Sequence, residues 1–278
     1  MADKCHQKLM KEQRLEGDLS GLSFDPLVLP IDEYVFSHEP FTKEMGVFLK
    51  AYEWLGSVGV NSKWCFTMRL RGHLAGLQVL NEPAAYSKLL GPDTMKYECL
   101  VQRGATISWA HKHLGSKMLM ASINWMVKNT DKRLFVGYAD SHAGEVGVLY
   151  QACNFMYLGD KFGVTCKYRH PVYRKGKEFC LHSLRRTGVL KWWCKKNGIA
   201  MEDNWFKSNG FKDLNVIPVE IKQRWYSWAK ALVRESEIIP IERKGKYALI
   251  KGFDRREQRY LEGLFTMRGL PYPKRGAV

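Results

Sequence analysis

The chain has no apolar run long enough to span a bilayer. Its opening, Met1-Ala-Asp-Lys-Cys-His-Gln-Lys8, is polar and lacks the apolar stretch of a secretory signal. Membrane spanning and export are therefore not expected, and a cytoplasmic protein is. The seven cysteines (5, 65, 99, 153, 166, 180, 194) are odd in number, scattered, and contain no CxxC pair. They read as reduced thiols that pack well, not as a disulfide framework. No internal repeat or low-complexity segment is present. No Walker loop, Rossmann glycine signature, zincin helix or G-x-S-x-G elbow appears, which removes several common enzyme classes.

What the sequence has in excess is positive charge. Its 278 residues carry 44 Lys+Arg against 28 Asp+Glu, a net of +16. Residues 1–164 hold 18 basic and 17 acidic residues, whereas 165–278 hold 26 and 11. The basic stretch also contains Trp192, Trp193, Trp205, Trp225 and Trp228. Cations interleaved with flat rings suit a polyanion, since phosphates need charge and unstacked bases need faces. Each Trp taken singly reads better as a core residue.

The pattern along the chain predicts a polar helix or arm over 1–20 and a helix over 41–55 behind a Thr cap. A hairpin follows, Trp64–Leu70 and Leu74–Leu80, joined by Arg71-Gly72-His73. A strand is expected at Tyr97–Gln102 and a helix from Met118 to Val127 with Ser116 as its cap. A buried strand follows at Arg133–Ala139, then a helix within Glu145–Phe155 and a strand at Met156–Gly159. Beyond 165 come strand pieces, basic helices at Ser183–Asn197 and Val219–Glu235, and a hairpin-like Ile238–Lys251. The fold class is α/β (α+β), with polar residues Asp140–Gly144 at a strand's C-terminal end, where such sheets place their sites. Three parts are expected: an arm and helix (1–60), a catalytic core (61–164), and a basic, Trp-rich part completing that core and contacting DNA (165–278).

Two clusters invite a chemical reading. Lys112-His-Leu-Gly115-Ser116-Lys117 lies between a strand and a helix start, where backbone N–H groups, the helix dipole and two lysines would favour an anion such as a cofactor pyrophosphate. It reads equally as an ordinary capped turn. Cys166, His170, Cys180 and His182 fit no standard zinc spacing, so no metal ligand set is assigned.

The order strand, Gly-containing turn, helix, strand, helix, strand resembles the GNAT acyltransferase fold. More narrowly, Tyr138-Ala-Asp140 through Tyr150-Gln-Ala to Asn154-Phe and Tyr157-Leu-Gly159 resembles the signature of bacteriophage Mom proteins. So do Lys244-Gly-Lys-Tyr-Ala-Leu-Ile-Lys-Gly252 and Leu270-Pro-Tyr-Pro-Lys-Arg275. The likeness runs from about Trp64 to Arg275. Ser141 stands where that family often has Pro, Phe155 where Trp is common, and only Gly115 fits the GNAT pyrophosphate consensus. The resemblance implies a GNAT-like mixed central sheet flanked by helices, with a basic C-terminal extension. It also implies transfer of a carbamoylmethyl group to the exocyclic amine of adenine in double-stranded DNA, a mark that shields phage DNA from restriction.

Its functional residues fall on Arg103, Asp140 and Tyr150. Asp140 would accept the amine proton, Tyr150 would donate to a leaving group or stack on a flipped base, and Arg103 would hold a phosphate. An acetyl-CoA or related acyl donor would rest on Lys112, Gly115, Ser116 and Lys117. Arg185, Arg186, Lys191, Lys195 and Lys196 would grip DNA. The competing readings are a GNAT acetyltransferase acting on a free amine and a non-catalytic DNA-binding module.

Overall fold

The structure, a computed structural model, describes residues 5–53, 63–140, 143–160, 167–206, 213, 215–239 and 245–274, with His182 described by its backbone alone. The chain forms two compact units, one of residues 1–162 and 243–278, the other of residues 163–242. The first unit opens with α1 (His6–Ser20), β1 (Val35–Glu39), α2 (Lys43–Tyr52), β2 (Trp64–Leu70), β3 (His73–Asn81) and β4 (Glu98–Thr106). It continues through α3 (Leu114–Asn129), β5 (Leu134–Ala139), α4 (Val148–Ala152) and β6 (Met156–Tyr157). The second unit holds β7 (Lys167–Arg169), β8 (Phe179–Cys180), α5 (Leu181–Leu184), α6 (Thr187–Lys196), α7 (Val219–Arg234) and β9 (Glu237–Ile239). The chain then returns to the first unit with β10 (Gly245–Ile250) and α8 (Arg255–Leu264).

Local signals account for the early elements. Thr42 Oγ1 accepts from the Met45 N–H at 3.3 Å, capping α2, which buries Met45, Phe48, Leu49 and Tyr52 at helical spacing. Each such side chain contributes about 1.5–3 kcal/mol by leaving water. The β2–β3 hairpin turns at Arg71 (φ 49°) and Gly72 (φ 85°), and two successive positive φ values are what a tight hairpin turn demands.

Seven strands form one mixed sheet in the order β1-β2-β3-β4-β5-β10-β6, and β4 with β5 is its parallel pair. One face packs Cys99, Val101, Phe135 and Tyr247 against Leu119, Ile123 and Met126 of α3. The other packs Leu134, Val136, Ala248 and Ile250 against Leu261 of α8. This is the mixed, helix-flanked sheet expected from the sequence. The feature that positions the site is a split within it. β4 and β5 pair only from Glu98–Leu100 to Leu134–Val136. Beyond that β4 follows β3 to Thr106 and β5 follows β10 to Ala139, so the two strands part.

Several expectations change. The start of α3 is His113, not Ser116, which lies inside the first turn and donates its Oγ–H to the His113 carbonyl at 3.0 Å. β4 runs on to Thr106 because β3 supplies partners from Leu100 to Thr106. The helix expected within Glu145–Phe155 shrinks to α4, since Gly147 (φ 67°) and Asn154 (φ 58°) take left-handed conformations at its two ends. The basic helix at 183–197 is two pieces, with Arg185 and Arg186 at the break. Ile238–Lys251 is no hairpin. β9 pairs with β7 in a three-stranded sheet, and β10 enters the main sheet between β5 and β6. Trp54, Leu55, Ser141, Cys166, Lys244 and Arg275 lie outside the described residues.

The return of 243–278 also redraws the charge map, because the last residues belong with the first unit instead of a basic extension. The first unit holds 28 Lys+Arg and 20 Asp+Glu, the second 16 and 8, so each carries +8. In the second unit Trp193, Trp205 and Trp225 are core residues packed with Leu190, Cys194 and Ile217, whereas Trp192 is 44% exposed.

Candidate active site

Where β4 and β5 part, a cavity of about 500 Å³ opens. Arg103 from β4, Asp140 from the end of β5 and Tyr150 from α4 all line it. The sequence reading named these three, and the fold brings them to one place. Cys5 and Gln7 at the start of α1 form part of the same wall.

Each side chain is held by identifiable neighbours. A register shift between Val79 and Leu80 leaves Gln102 as an extra residue in β4, the residue before Arg103. The Arg103 Nε lies 3.9 Å from the carboxylate of Glu53, itself buried, and its Nη1 donates to the Gln102 carbonyl at 2.9 Å. Buried Gln78 secures the Arg103 backbone by donating from Nε2 to its carbonyl at 2.7 Å.

Asp140 is only 9% exposed. Its carbonyl accepts from the N–H groups of Ala143 and Glu145, and its own N–H donates to Glu145 Oε2 at 3.1 Å. The loop that follows is pinned at the Val146 carbonyl, which accepts from Gln151 Nε2 at 2.6 Å and from Tyr247 Oη at 2.8 Å. The Gln of Tyr-Gln-Ala and the Tyr of the C-terminal motif thus hold the same peptide group.

Tyr150 fills the split. Lys246 directs its N–H and carbonyl towards Gly159 and Leu158, leaving the opposing Tyr138 N–H turned towards the gap beside β4. The Tyr138 N–H favours the charged form of the Tyr150 hydroxyl and draws its pKa down a little. Burial pushes the Tyr150 phenol well above its ordinary value, with the nearby Glu145 charge adding to it. Tyr150 is therefore protonated at neutral pH. Burial also pushes Tyr247 up to about 12 and raises Tyr138.

The residues expected to hold a donor pyrophosphate are placed differently. None of Lys112, Gly115, Ser116 and Lys117 lines the cavity. The Lys117 ammonium lies 2.5 Å from Asp32 Oδ1 and donates to the Ile31 carbonyl, and Ser116 Oγ is turned to His113. The side chains of Ser116 and Lys117 are thus engaged with other partners. Only Gly115 comes near the site, its Cα edge facing Leu149 of the cavity wall.

In the second unit Arg185, Arg186, Lys191, Lys195 and Lys196 are all exposed. Arg185 lies over the Tyr226 ring (5.5 Å), Lys191 over Phe206 (4.3 Å) and Lys196 over Trp192 (5.3 Å). His170 Nδ1 accepts from the N–H groups of Val172 and Tyr173, and among the described residues no group of three or more His, Cys, Asp or Glu is placed to hold a metal. The described cysteines 5, 65, 99, 153, 180 and 194 are free thiols. No helix among the described residues is long and apolar enough to cross a membrane.

Glu53, Gln78, Tyr138 and Glu145 also line the cavity and were missed in the sequence. Tyr138 and Glu145 stood inside a quoted motif. Glu53 and Gln78 carried no local signal.

With this geometry in view, the comparisons have a place. The pattern of the Mom protein family matches residues 54–215, and the chain belongs to that family. The match takes in Arg103, Asp140, Tyr150 and α6 and ends before α7, β10 and α8. No curated protein matches the sequence. Among solved structures the chain is similar to an acetyltransferase of Bacillus subtilis in complex with CoA, at 11% identity and a TM-score of 0.36, over 78% of this chain and 98% of that one. It is similar also to a protein assigned as a phosphinothricin N-acetyltransferase, at 12% identity and a TM-score of 0.32, over 52% and 94%.

Proposed function

We propose that this protein is a DNA-modifying transferase. It adds a carbamoylmethyl-type group to the exocyclic amine of adenine in duplex DNA, a mark that protects phage DNA from restriction. The observation that supports it is the convergence of Arg103, Asp140 and Tyr150 on one cavity in a member of the Mom family. The adenine amine is a weak nucleophile because its lone pair is shared with the ring. As N6 attacks the electrophilic carbon of the donor, the new N–C bond forms and the amine proton passes to the Asp140 carboxylate. The bond to the leaving group breaks, and Tyr150 supplies the proton that group needs. Arg103, oriented by Glu53, holds an anionic part of donor or DNA.

An acyl-CoA-type donor, the class the family resemblance implies, would leave an amide on N6, whereas a carbamoylmethyl group needs a donor whose electrophilic carbon is a methylene. Because Ser116 and Lys117 are turned to other partners, no step is routed through it. A base inside a duplex cannot reach the cavity, so the adenine is flipped out, at a cost of a few kcal/mol. The exposed cations of α6 contribute backbone contacts.

The test is nucleoside mass spectrometry of plasmid DNA from cells expressing the protein, beside an Asp140→Ala control. A new deoxyadenosine-derived peak, absent from the control, supports the reading, and its mass names the group. Unmodified DNA from abundant, folded protein would sink it.

A further inference from the structure

Helix α8 stands on the unit that holds the cavity, and its outer face has no role in the site described above. Asp254 caps it, accepting from the Glu257 N–H at 2.8 Å. Its inner face sends Leu261 into the core. Its outer face presents Arg255, Arg256, Arg259 and Tyr260, behind an exposed Phe253. Positions i, i+1, i+4 and i+5 share one side of a helix, so these groups form a single patch.

The arginines of this patch differ from others in the same unit. Arg69, Arg71, Arg103 and Arg133 each lie within 4.0 Å of a carboxylate. Arg255, Arg256 and Arg259 form no ion pair among the described residues. The two acids within α8 are engaged elsewhere, Glu257 with Arg133 at 2.8 Å and Glu262 with Gln258 at 2.7 Å. The three cations also sit in the first five residues of the helix, at the positive end of its dipole, and Arg255 and Arg259 form a like-charged i,i+4 pair. All of this weakens the helix in isolation. Such a local conflict is the mark of a functional surface, and the guanidinium fork suits phosphate oxygens better than an ammonium does.

We propose that the outer face of α8 is a phosphate-backbone contact for duplex DNA, made by the unit that holds the active-site cavity. The inference rests on the reading of DNA as substrate. It also locates the contact. The first turn of α8 is tied through Glu257 to Arg133, the residue before β5, whereas Asp140 follows the last residue of that strand. At about 3.3 Å per residue the strand separates them by roughly 20 Å. That is about six base-pair steps at 3.4 Å each. α8 therefore grips flanking DNA, at a distance from the target adenine.

The experiment compares the native protein with an Arg255→Gln/Arg256→Gln/Arg259→Gln variant by fluorescence anisotropy over a salt series. One duplex has about 24 base pairs and another about 8, each with a central adenine target. On the long duplex the variant should bind about 10- to 100-fold more weakly, with the slope of log affinity against log salt shallower by about 2–3. On the short duplex the two proteins should bind alike. A triple Arg→Lys variant should keep most of the slope. Folding is checked by thermal unfolding, where the Gln variant should match or exceed the native protein because the dipole conflict is gone.

Equal binding of native and Gln proteins to the long duplex would overturn the proposal, and would be the result if the patch served an acidic protein instead. Equal losses on both duplexes would overturn the placement. A native protein that neither binds nor modifies duplex DNA fails the underlying reading, an outcome visible without any variant.

Discussion

Tyr150 of α4 stacks on Tyr247 of β10, with ring centroids 5.1 Å apart and planes 26° from parallel. The two come from the separate stretches that resembled Mom proteins, and their contact packs the C-terminal stretch behind Tyr150, which lines the cavity. Tyr247 Oη holds the Val146 carbonyl, whereas Tyr150, its phenol raised by burial, is the proton donor of the proposed reaction. Their hydroxyls should therefore respond differently to removal. Tyr150→Phe is expected to lower the modification rate by about 10²–10⁴-fold while leaving the fold intact. Tyr247→Phe should cost about 1 kcal/mol of stability and a smaller part of the rate. Single-turnover kinetics beside thermal unfolding separates the two.

Gly137 sits beneath the Tyr150 ring. A Cβ added there would lie 2.4 Å from the Tyr150 Cζ, closer than atoms can approach. Gly137→Ala should displace the ring and destabilise the protein by roughly 1–3 kcal/mol. Pairing it with Tyr150→Ala should recover part of that loss, measurable in a double-mutant cycle by denaturant unfolding. Strict additivity would show that the two residues do not press on each other.

Asp140→Asn keeps the side-chain shape and the backbone hydrogen bonds of residue 140, and removes the proton acceptor proposed there. DNA affinity should stay within a few-fold while modification falls about 10²–10⁴-fold. A variant that still modifies DNA at the native rate would assign the base to another group, and Glu145 would be the next to test.

Lys11 of α1 donates to Thr106 Oγ1 at the end of β4, and burial lowers its pKa from 10.5 to about 8. The folded state thus binds fewer protons than the unfolded chain between about pH 8 and 10.5, and stability rises with pH across that window. α1, whose residues Cys5 and Gln7 line the cavity, should dock more firmly at pH 9 than at pH 7. Limited proteolysis of α1 at the two pH values, beside a Lys11→Met variant docked equally at both, provides the check.

What the sequence determined by itself is local. Thr42 before an apolar-periodic run and two residues able to turn at Arg71-Gly72 act over a few residues, and each is found where it was read. Asp140 and Tyr150 stand within the quoted motif, whereas Arg103 has no tight motif around it and was named only from the resemblance. Only the tertiary structure decided what depends on distant pairing. It placed β10 between β5 and β6 instead of beside β9, because a six-residue strand buried on both faces is satisfied by a central position. It drew Glu53 and Gln78 into the cavity, and it paired Lys117 with Asp32 instead of leaving it beside a phosphate. It also set residues 243–278 in the unit that holds the cavity. A side chain's partners across the sheet are set by register and packing between remote segments, and no short window of sequence contains them.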